Sequence, residues 1–270
     1  MDANLPKPFL RWAGSKKKVV PILSEYWDKS YKRYIEPFMG SSVLFFHLQP
    51  DQAILSDINS ELIDTYSAVK SNPNKVHEAL RHLTKGKVAY YKIRNIDPKK
   101  LNKVSRAARF IYLNRFCFNG IYRTNRDGKF NVPYSNNPRS DLPTKKELVV
   151  VSKSLRKVQL HCADFERIIS ANVMTNDFVY LDPPYAVANR KIFRQYGPQT
   201  FGLDDLERLN GVLHDIDKKG AHFLLSYAFC REAKTVFKDW TQRRILTTRN
   251  IAGFSKFRRR AVEILATNIA

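Results

Sequence analysis

The segment with the clearest chemical use is residues 182–185, Asp-Pro-Pro-Tyr, which follows an apolar run, Phe178–Leu181, typical of a buried parallel strand. The carboxylate of Asp182 can accept a hydrogen bond from an exocyclic amine. Proline has no N–H and a fixed φ, so the carbonyl of Pro183 can be held as a second acceptor, and Tyr185 offers a ring on which a base can stack. These residues predict a pocket that binds the amino group of a flat heterocycle through hydrogen bonds. The alternative is a strand stopped by prolines, with an aspartate capping the turn.

Two earlier segments stand where ligands bind in open α/β sheets, beyond the carboxyl ends of strands. Residues 36–40 (Glu-Pro-Phe-Met-Gly) end a predicted strand at 33–38, and Asp57 ends the next apolar run. Gly40 lets the backbone approach a ligand closely, and an acid 17 residues further on is the usual device for holding ribose hydroxyls. Taken singly, each is better explained as a turn glycine or an exposed aspartate; their occurrence together with Asp182 favours a binding function.

The motifs that are absent narrow the choice of cofactor. Neither G-x-G-x-x-G nor G-x-x-x-x-G-K-[ST] occurs, which argues against a nicotinamide cofactor and against phosphoryl transfer from ATP. A ribose-binding acid without a phosphate cradle fits S-adenosylmethionine. Methylation of cytosine C5 would need a nucleophilic cysteine, but none of Cys117, Cys162 and Cys230 follows a proline in a suitable turn, so we expect buried packing roles for all three.

The charge of the chain predicts a polyanionic partner. There are 47 Lys and Arg against 25 Asp and Glu, a net charge of +22 and a pI of about 10.0, which favours nucleic acid. A membrane surface is the competing partner, but we find no apolar stretch of about 18 residues and no long basic amphipathic helix. The cysteines lack metal-ligand spacing and the first six residues lack the apolar core of a signal peptide. We therefore expect a cytoplasmic monomer with no metal and no membrane association.

Strand patterns that alternate with helical ones predict an α/β sheet with helices on both faces. Residues 60–144 look like an insertion between the second and third strands, helical at first and then a basic loop or hairpin. We expect this block to form an inserted DNA target-recognition domain, and residues 1–59 and 145–270 to form the catalytic domain. The predicted strands span residues 33–38, 53–56, 158–162, 178–181, 222–226, 244–248 and 262–267, and the clearest late helix spans 203–216.

Four stretches together resemble the Dam-type (D12 class) DNA adenine-N6 methyltransferases. They are FLRWAGSK (9–16), EPFMG (36–40) with Asp57, YLNRFCFNGIYRTNRDGKFNVP (112–133) and DPPY (182–185), in family order and at family spacing. The resemblance implies a Rossmann-like sheet that binds S-adenosylmethionine. It also implies transfer of a methyl group to N6 of a flipped-out adenine at a short site in double-stranded DNA.

The resemblance also implies roles for individual residues. Those expected to act on the target adenine are Asp182, Pro183, Pro184 and Tyr185. Those expected to contact S-adenosylmethionine are Trp12, Lys16, Gly40, Asp57, Asp164, Phe165 and Asp182. The DNA-binding candidates, drawn from the matching positions and the basic loop, are Arg11, Arg115, Phe118, Asn119, Ile121, Arg123, Asn125, Arg126 and Pro133.

The expected mechanism is activation of a poor nucleophile. We expect the Asp182 carboxylate and the Pro183 carbonyl to accept hydrogen bonds from the adenine amine and so free its lone pair, with most of the acceleration coming from orientation and preorganised charge. Phe118, Ile121 and Tyr122 fill the vacancy left by the extruded base or, alternatively, anchor the loop. Arg123 also has two interpretations: it reads guanine by a bidentate contact or binds a phosphate.

Two rival functions stay open at this point. The first is an amino-methyltransferase acting on cytosine N4 or on RNA, although cytosine-N4 enzymes more often have serine at the position of Asp182. The second is a DNA-binding protein with an impaired cofactor site, because Ser42 stands where the family usually has a second glycine two residues after Gly40. The recognition sequence is not predicted.

Overall fold

The computed structural model describes residues 6–125, 127–137, 140–185, 201–250 and 258–269. Within them, seven strands form one mixed sheet in the order β3-β2-β1-β4-β5-β7-β6. The strands from β1 to β5 are parallel, and β7 runs antiparallel to both β5 and β6. The strands are β1 (Tyr34–Glu36), β2 (Ala53–Asp57), β3 (Val158–Cys162), β4 (Phe178–Leu181), β5 (His222–Ala228), β6 (Thr241–Asn250) and β7 (Arg258–Thr267).

Helices cover both faces of this sheet. Successive residues of a strand point to opposite faces, and Tyr34 and Ile35 of β1 accordingly belong to two different apolar clusters. The cluster around Tyr34 includes side chains of α1–α7, and the one around Ile35 includes those of α8, α9 and α10. The helices are α1 (Val20–Ser24), α2 (Val43–Leu48), α3 (Ser60–Ser71), α4 (Pro73–Arg81), α5 (Lys87–Asn95), α6 (Lys103–Phe116), α7 (Lys145–Ser154), α8 (Phe165–Asn172), α9 (Leu203–Lys218) and α10 (Arg231–Val236).

The order of the strands reverses between β1 and β4. Strand β1 pairs with β2 on one side and β4 on the other, so connections leave the carboxyl ends of β1 and β4 in opposite directions and open a crevice there. All four residues of β4 are buried, as expected for a parallel strand covered on both faces. The segments 37–40 and 182–185 both begin at this crevice.

The polypeptide between β2 and β3 forms helices α3–α7 and a hairpin-like loop. Two isolated antiparallel bridges, Cys117 with Tyr134 and Thr124 with Phe130, hold that loop. Helix α3 packs against β2 and β3 as well as against α6 and α7, so its first turn is tied to the sheet. The domain limits at 60–144 stay a prediction.

Two details differ from the sequence analysis. Strands β6 and β7 are longer than predicted because they pair with each other over ten residues each, beyond the apolar stretches that revealed them. Of the cysteines, only Cys117 is buried; Cys162 is exposed and Cys230 is partly exposed at the start of α10.

Among the described residues, none of the helices has the length and apolar character needed to span a membrane.

A buried ion pair joins the residues directly before β1 and β4. It lies at the amino ends of these strands, opposite the crevice at their carboxyl ends. The Arg33 guanidinium donates to both carboxylate oxygens of Asp177, at 3.0 and 2.6 Å, and Asp177 is fully buried. The Met174 N–H also donates to this carboxylate, at 2.9 Å.

We expect Asp177→Asn to lower the free energy of unfolding by about 2–4 kcal/mol, because it leaves the Arg33 charge without its partner. Urea unfolding would measure this loss, and the exposed Asp51→Asn is a matched control with little expected effect. The interpretation fails if the two variants unfold at the same urea concentration.

Candidate active site

Asp182 leaves the end of β4 into the crevice, where two donors fix one of its oxygens. The Lys16 ammonium donates to Oδ1 at 2.6 Å, and the Ser226 hydroxyl of β5 donates to the same oxygen at 3.1 Å. Ser226 is in turn within 3.1 Å of the Tyr180 hydroxyl on β4. Lys16 reaches this position from the amino-terminal segment, which therefore lies across the crevice.

Tyr185 extends the same network to the last strand. Its hydroxyl donates to Oε1 of Glu263 on β7 at 2.8 Å and lies 3.4 Å from the Lys16 ammonium. The ammonium is also 3.9 Å from Oε2 of Glu263. Lys16 thus lies between two carboxylates, and the side chains of Lys16 and Glu263 are only 8% and 5% exposed.

Burial and ion pairing oppose each other in this network. Burial lowers the pKa of Lys16, but the carboxylate of Asp182, with Tyr185 and Glu263, outweighs this effect and raises it overall. Burial raises the pKa of Asp182, and the Lys16 charge only partly offsets the rise. The ammonium therefore favours the ionised form of Asp182, against the burial that favours the neutral form.

The segment after β1 approaches β2 and the amino-terminal segment closely. The Gly40 N–H donates to Oδ2 of Asp57 at 3.1 Å, and the Asn59 N–H donates to Oδ1 at 2.9 Å. Gly40 has φ +44°, and a Cβ at this position would lie 2.6 Å from Cδ1 of Trp12, so only glycine fits. Burial raises the pKa of Asp57 to about 6, although these N–H groups oppose the rise.

Ser42 adopts a conformation that explains why glycine is expected there. Its φ and ψ are 47° and 45°, in the left-handed region, and it is 1% exposed. The hydroxyl donates to the Met39 carbonyl at 3.3 Å. The departure from the family pattern therefore adds backbone strain next to the crevice.

Asp164 and Phe165 begin α8, near the segment after β1. Asp164 caps the helix by accepting from the Glu166 N–H, and it forms an ion pair with Arg208 of α9 at 2.9 Å. The Phe165 ring lies 5.2 Å from that of Phe38, centroid to centroid, and the Arg208 guanidinium lies over it. Phe165 therefore forms an apolar wall beside residues 36–40.

Two of the DNA-binding candidates bind the protein itself. The Arg115 guanidinium donates to the carbonyls of Asp141 and Phe9, at 2.6 and 3.5 Å. Arg11 donates to the Arg115 carbonyl and to the Ser140 hydroxyl, at 3.3 and 3.1 Å. These bonds tie the amino-terminal segment to the end of α6, which is a structural role for both arginines.

The loop after α6 divides into exposed and anchoring residues. Phe118 is 40% exposed, with its N–H bonded to the Pro133 carbonyl at 2.9 Å. Asn119 has φ 54°, which turns the chain sharply after Phe118, and Ile121 packs against the core. Tyr122 is 9% exposed and anchors the loop, since its hydroxyl donates to Glu61 at 2.9 Å.

The tip of the loop holds the remaining candidates. The Arg123 Nε donates to the Asn131 side chain at 2.8 Å, which braces the guanidinium across the hairpin. Asn125 closes the turn by accepting from the N–H groups of Asp127 and Lys129, at 3.1 and 2.9 Å. Arg126 lies outside the described residues.

The sequence analysis missed Glu263, Ser226 and Tyr180. A carboxylate flanked by Val262 and Ile264 in an apolar strand was an available signal, because buried charges are rare unless they are paired. Ser226 and Tyr180 gave no such signal. No group of three potential metal ligands occurs among the described side chains.

The strand order and the Asp-Pro-Pro-Tyr turn at the strand-order reversal are those of an α/β methyltransferase. Residues 12–251 match the description of the D12 class N6 adenine-specific DNA methyltransferases. The chain belongs to this family and is an adenine-specific DNA methyltransferase. The family implies DNA as substrate and S-adenosylmethionine as methyl donor, and the alternatives of cytosine-N4 or RNA methylation are set aside.

Curated relatives support this assignment over nearly the full chain. Type II methyltransferase M1.LlaDCHI of Lactococcus lactis subsp. cremoris is 33% identical, covering 97% of this chain and 95% of the relative. Type II methyltransferase M.MjaIII of Methanocaldococcus jannaschii is 38% identical, covering 83% and 84%. DNA adenine methylase of Escherichia coli K12 is 28% identical, covering 96% and 94%.

Glycine at position 42 is expected to stabilise the protein. Ser42→Gly removes left-handed strain of about 1–2 kcal/mol, against a backbone entropy cost of about 0.5–1 kcal/mol. We expect a net rise of up to about 1 kcal/mol in the free energy of unfolding, measured with urea. Ser41→Gly is the matched control: this buried neighbour lacks a positive φ and should lose stability on the same change. Equal losses in both variants would contradict the argument.

Proposed function

We propose that this chain methylates N6 of an adenine flipped out of duplex DNA at a short recognition site, and that Asp182, Pro183 and Tyr185 hold the target base. The observation that carries this proposal is the position of Asp182, at the strand-order reversal with Lys16 and Ser226 both bonded to Oδ1. Among the described residues, no protein group donates to Oδ2 at hydrogen-bond distance. This second oxygen is therefore available for the amine.

The proposed chemistry requires the N6 lone pair to leave conjugation with the ring. Hydrogen bonds from the amine to Oδ2 of Asp182 and to the Pro183 carbonyl favour tetrahedral nitrogen, and the Tyr185 ring holds the base plane by stacking. S-adenosylmethionine, when bound, would supply the methyl group that N6 takes, and would keep the electron pair of the broken S–C bond on its sulfur. The methylated nitrogen would release one proton to water, and no covalent enzyme intermediate is involved.

The residues around Gly40 fit S-adenosylmethionine, which supplies the electrophilic methyl group when bound. Because Gly40 has no Cβ, the Trp12 ring packs directly on its backbone, next to the N–H that Gly40 donates to Asp57. The Asp57 oxygens accept the Gly40 and Asn59 N–H groups, and a carboxylate has lone pairs left to accept ribose hydroxyls. Phe165 gives an apolar surface for the adenine of the cofactor, and Asp164, held by Arg208, stands at its edge.

The loop after α6 is proposed to recognise DNA. Phe118 is exposed enough to enter the gap left by the extruded base, whereas Tyr122 is not. Arg123 is held at its Nε by Asn131, and its remaining guanidinium N–H groups have the fixed geometry that suits guanine. Arg115 is proposed to act on DNA only indirectly, by fixing the base of this loop.

The direct test is nucleoside mass spectrometry of unmethylated plasmid DNA incubated with the protein and S-adenosylmethionine. We expect N6-methyladenine from the wild type and a loss of at least about 100-fold in Asp182→Ala. Asp51→Ala, on the exposed surface, should retain full activity. DNA that is bound but left unmethylated by the wild type would instead support the binding-protein alternative.

The raised pKa of Asp57 predicts how cofactor affinity depends on pH. Ribose hydroxyls donate to the ionised carboxylate, so binding favours ionisation and lowers a pKa that is about 6 in the free protein. Affinity for S-adenosylmethionine should therefore fall as the pH drops below about 6 and level off above about 7. Calorimetric titration across this range would measure it.

Asp57→Asn is the control for this pH dependence. The amide binds more weakly than the carboxylate, and its affinity should not change between about pH 5 and 7 because it cannot titrate. A wild-type affinity that does not change over the same range would argue against Asp57 as the ribose ligand.

A further inference from the structure

Glu263 reaches the crevice because β7 runs against the parallel strands. It lies opposite Ala228, the last residue of β5, in the register of the two strands. The antiparallel direction therefore places a residue from the middle of β7 beside the carboxyl end of β4, where Asp182 lies. Glu263 is 4% exposed.

A carboxylate in this position is costly to bury. The residues that follow Glu263 in β7, Ile264 and Leu265, are buried in the apolar clusters on the two faces of the sheet. An ionised group is retained in such a strand only with close partners. Both carboxylate oxygens of Glu263 face the predicted catalytic groups: Oε1 accepts from the Tyr185 hydroxyl at 2.8 Å, and Oε2 lies 3.9 Å from the Lys16 ammonium.

We propose that Glu263 is a positioning residue for methyl transfer, which fixes the Tyr185 ring and holds the Lys16 ammonium against Asp182. The inference rests on the proposed function of Asp182 and Tyr185. It adds a contribution from the last strand that none of the four motif stretches contains.

Tyr185 is held at both ends. Its hydroxyl lies between Glu263 and Lys16, and its ring packs edge-on against Tyr227 with centroids 5.2 Å apart. The hydroxyl contacts fix where the end of the ring lies, and the Tyr227 contact resists rotation about the Cβ–Cγ bond. The face offered to the target base is therefore set before the base arrives. Misplacement of reacting groups by about 1 Å costs about 100-fold in rate.

Lys16 is held by two carboxylates instead of one. Its ammonium contacts Asp182 directly and Glu263 at a longer distance, with the Gly14 carbonyl as a further acceptor at 3.3 Å. Loss of the Glu263 charge would remove the second carboxylate contact and free the ammonium to shift relative to Asp182. The orientation of the Asp182 oxygens, and therefore of the amine, would change with it.

The test is a double-mutant cycle on the full-length protein, with single-turnover methyl transfer from labelled S-adenosylmethionine as the readout. Glu263→Gln keeps an acceptor for Tyr185 but removes the charge, and Tyr185→Phe keeps the ring but removes the hydroxyl. We expect each to slow methyl transfer by about 10–100-fold while the Kd for DNA changes by less than about 3-fold.

If Glu263 acts through Tyr185, the double variant should be no slower than about 3-fold below the slower single variant. Losses that multiply, or an unchanged rate in Glu263→Gln, would overturn the proposal. A role in folding alone would lower thermal stability and leave the rate per folded molecule unchanged, as we expect for the control Asp177→Asn at the opposite edge of the sheet.

Two further outcomes separate this inference from the proposed function. A wild-type protein that forms no N6-methyladenine would refute the proposed function before the cycle is interpreted. If Glu263→Gln does not fold, the proposal is decided by Tyr185→Phe alone: a rate equal to that of the wild type would overturn it.

Discussion

The contact on which the site depends is the buried ion pair between Lys16 and Asp182, with a distance of 2.6 Å. It joins residues 166 positions apart and brings the amino-terminal segment across the carboxyl edge of the sheet. An isolated carboxylate in this pocket would favour its neutral form, and an isolated ammonium would favour losing its proton. The attraction between the two charges offsets the cost of burying each of them. Removing either one should therefore disturb both the fold of the crevice and its chemistry.

The same segment constrains the cofactor side through sterics. Trp12 packs so closely on Gly40 that a single added carbon would overlap its ring. Trp12 also stacks on Tyr122, with centroids 6.0 Å apart and planes 19° apart, and Tyr122 bonds to Glu61 at the start of α3. Trp12 therefore packs both against the loop proposed to bind the cofactor and against the loop proposed to read DNA. A large shift of either loop would disturb its contact with Trp12.

Antiparallel addition of the last strand has a chemical consequence as well as a topological one. A parallel strand at this position would present its final residues to the crevice, whereas β7 presents Glu263 from its middle. Side chains at one end of β4, β5 and β7 therefore lie around Lys16. The cost of burying these polar groups is offset because they satisfy one another.

The sequence by itself determined the α/β class, the family and the residues at strand ends, because apolar periodicity, turn prolines and motif spacing are local properties of the chain. It placed Asp182 correctly after β4, at the end of a buried strand. Only the tertiary structure decided which distant groups meet there. Arg115 was a basic-loop candidate but binds backbone carbonyls, and Glu263 carried no motif yet contacts Tyr185. Such pairings depend on strand order and direction, which are set by packing of the whole sheet and are not encoded in any short segment.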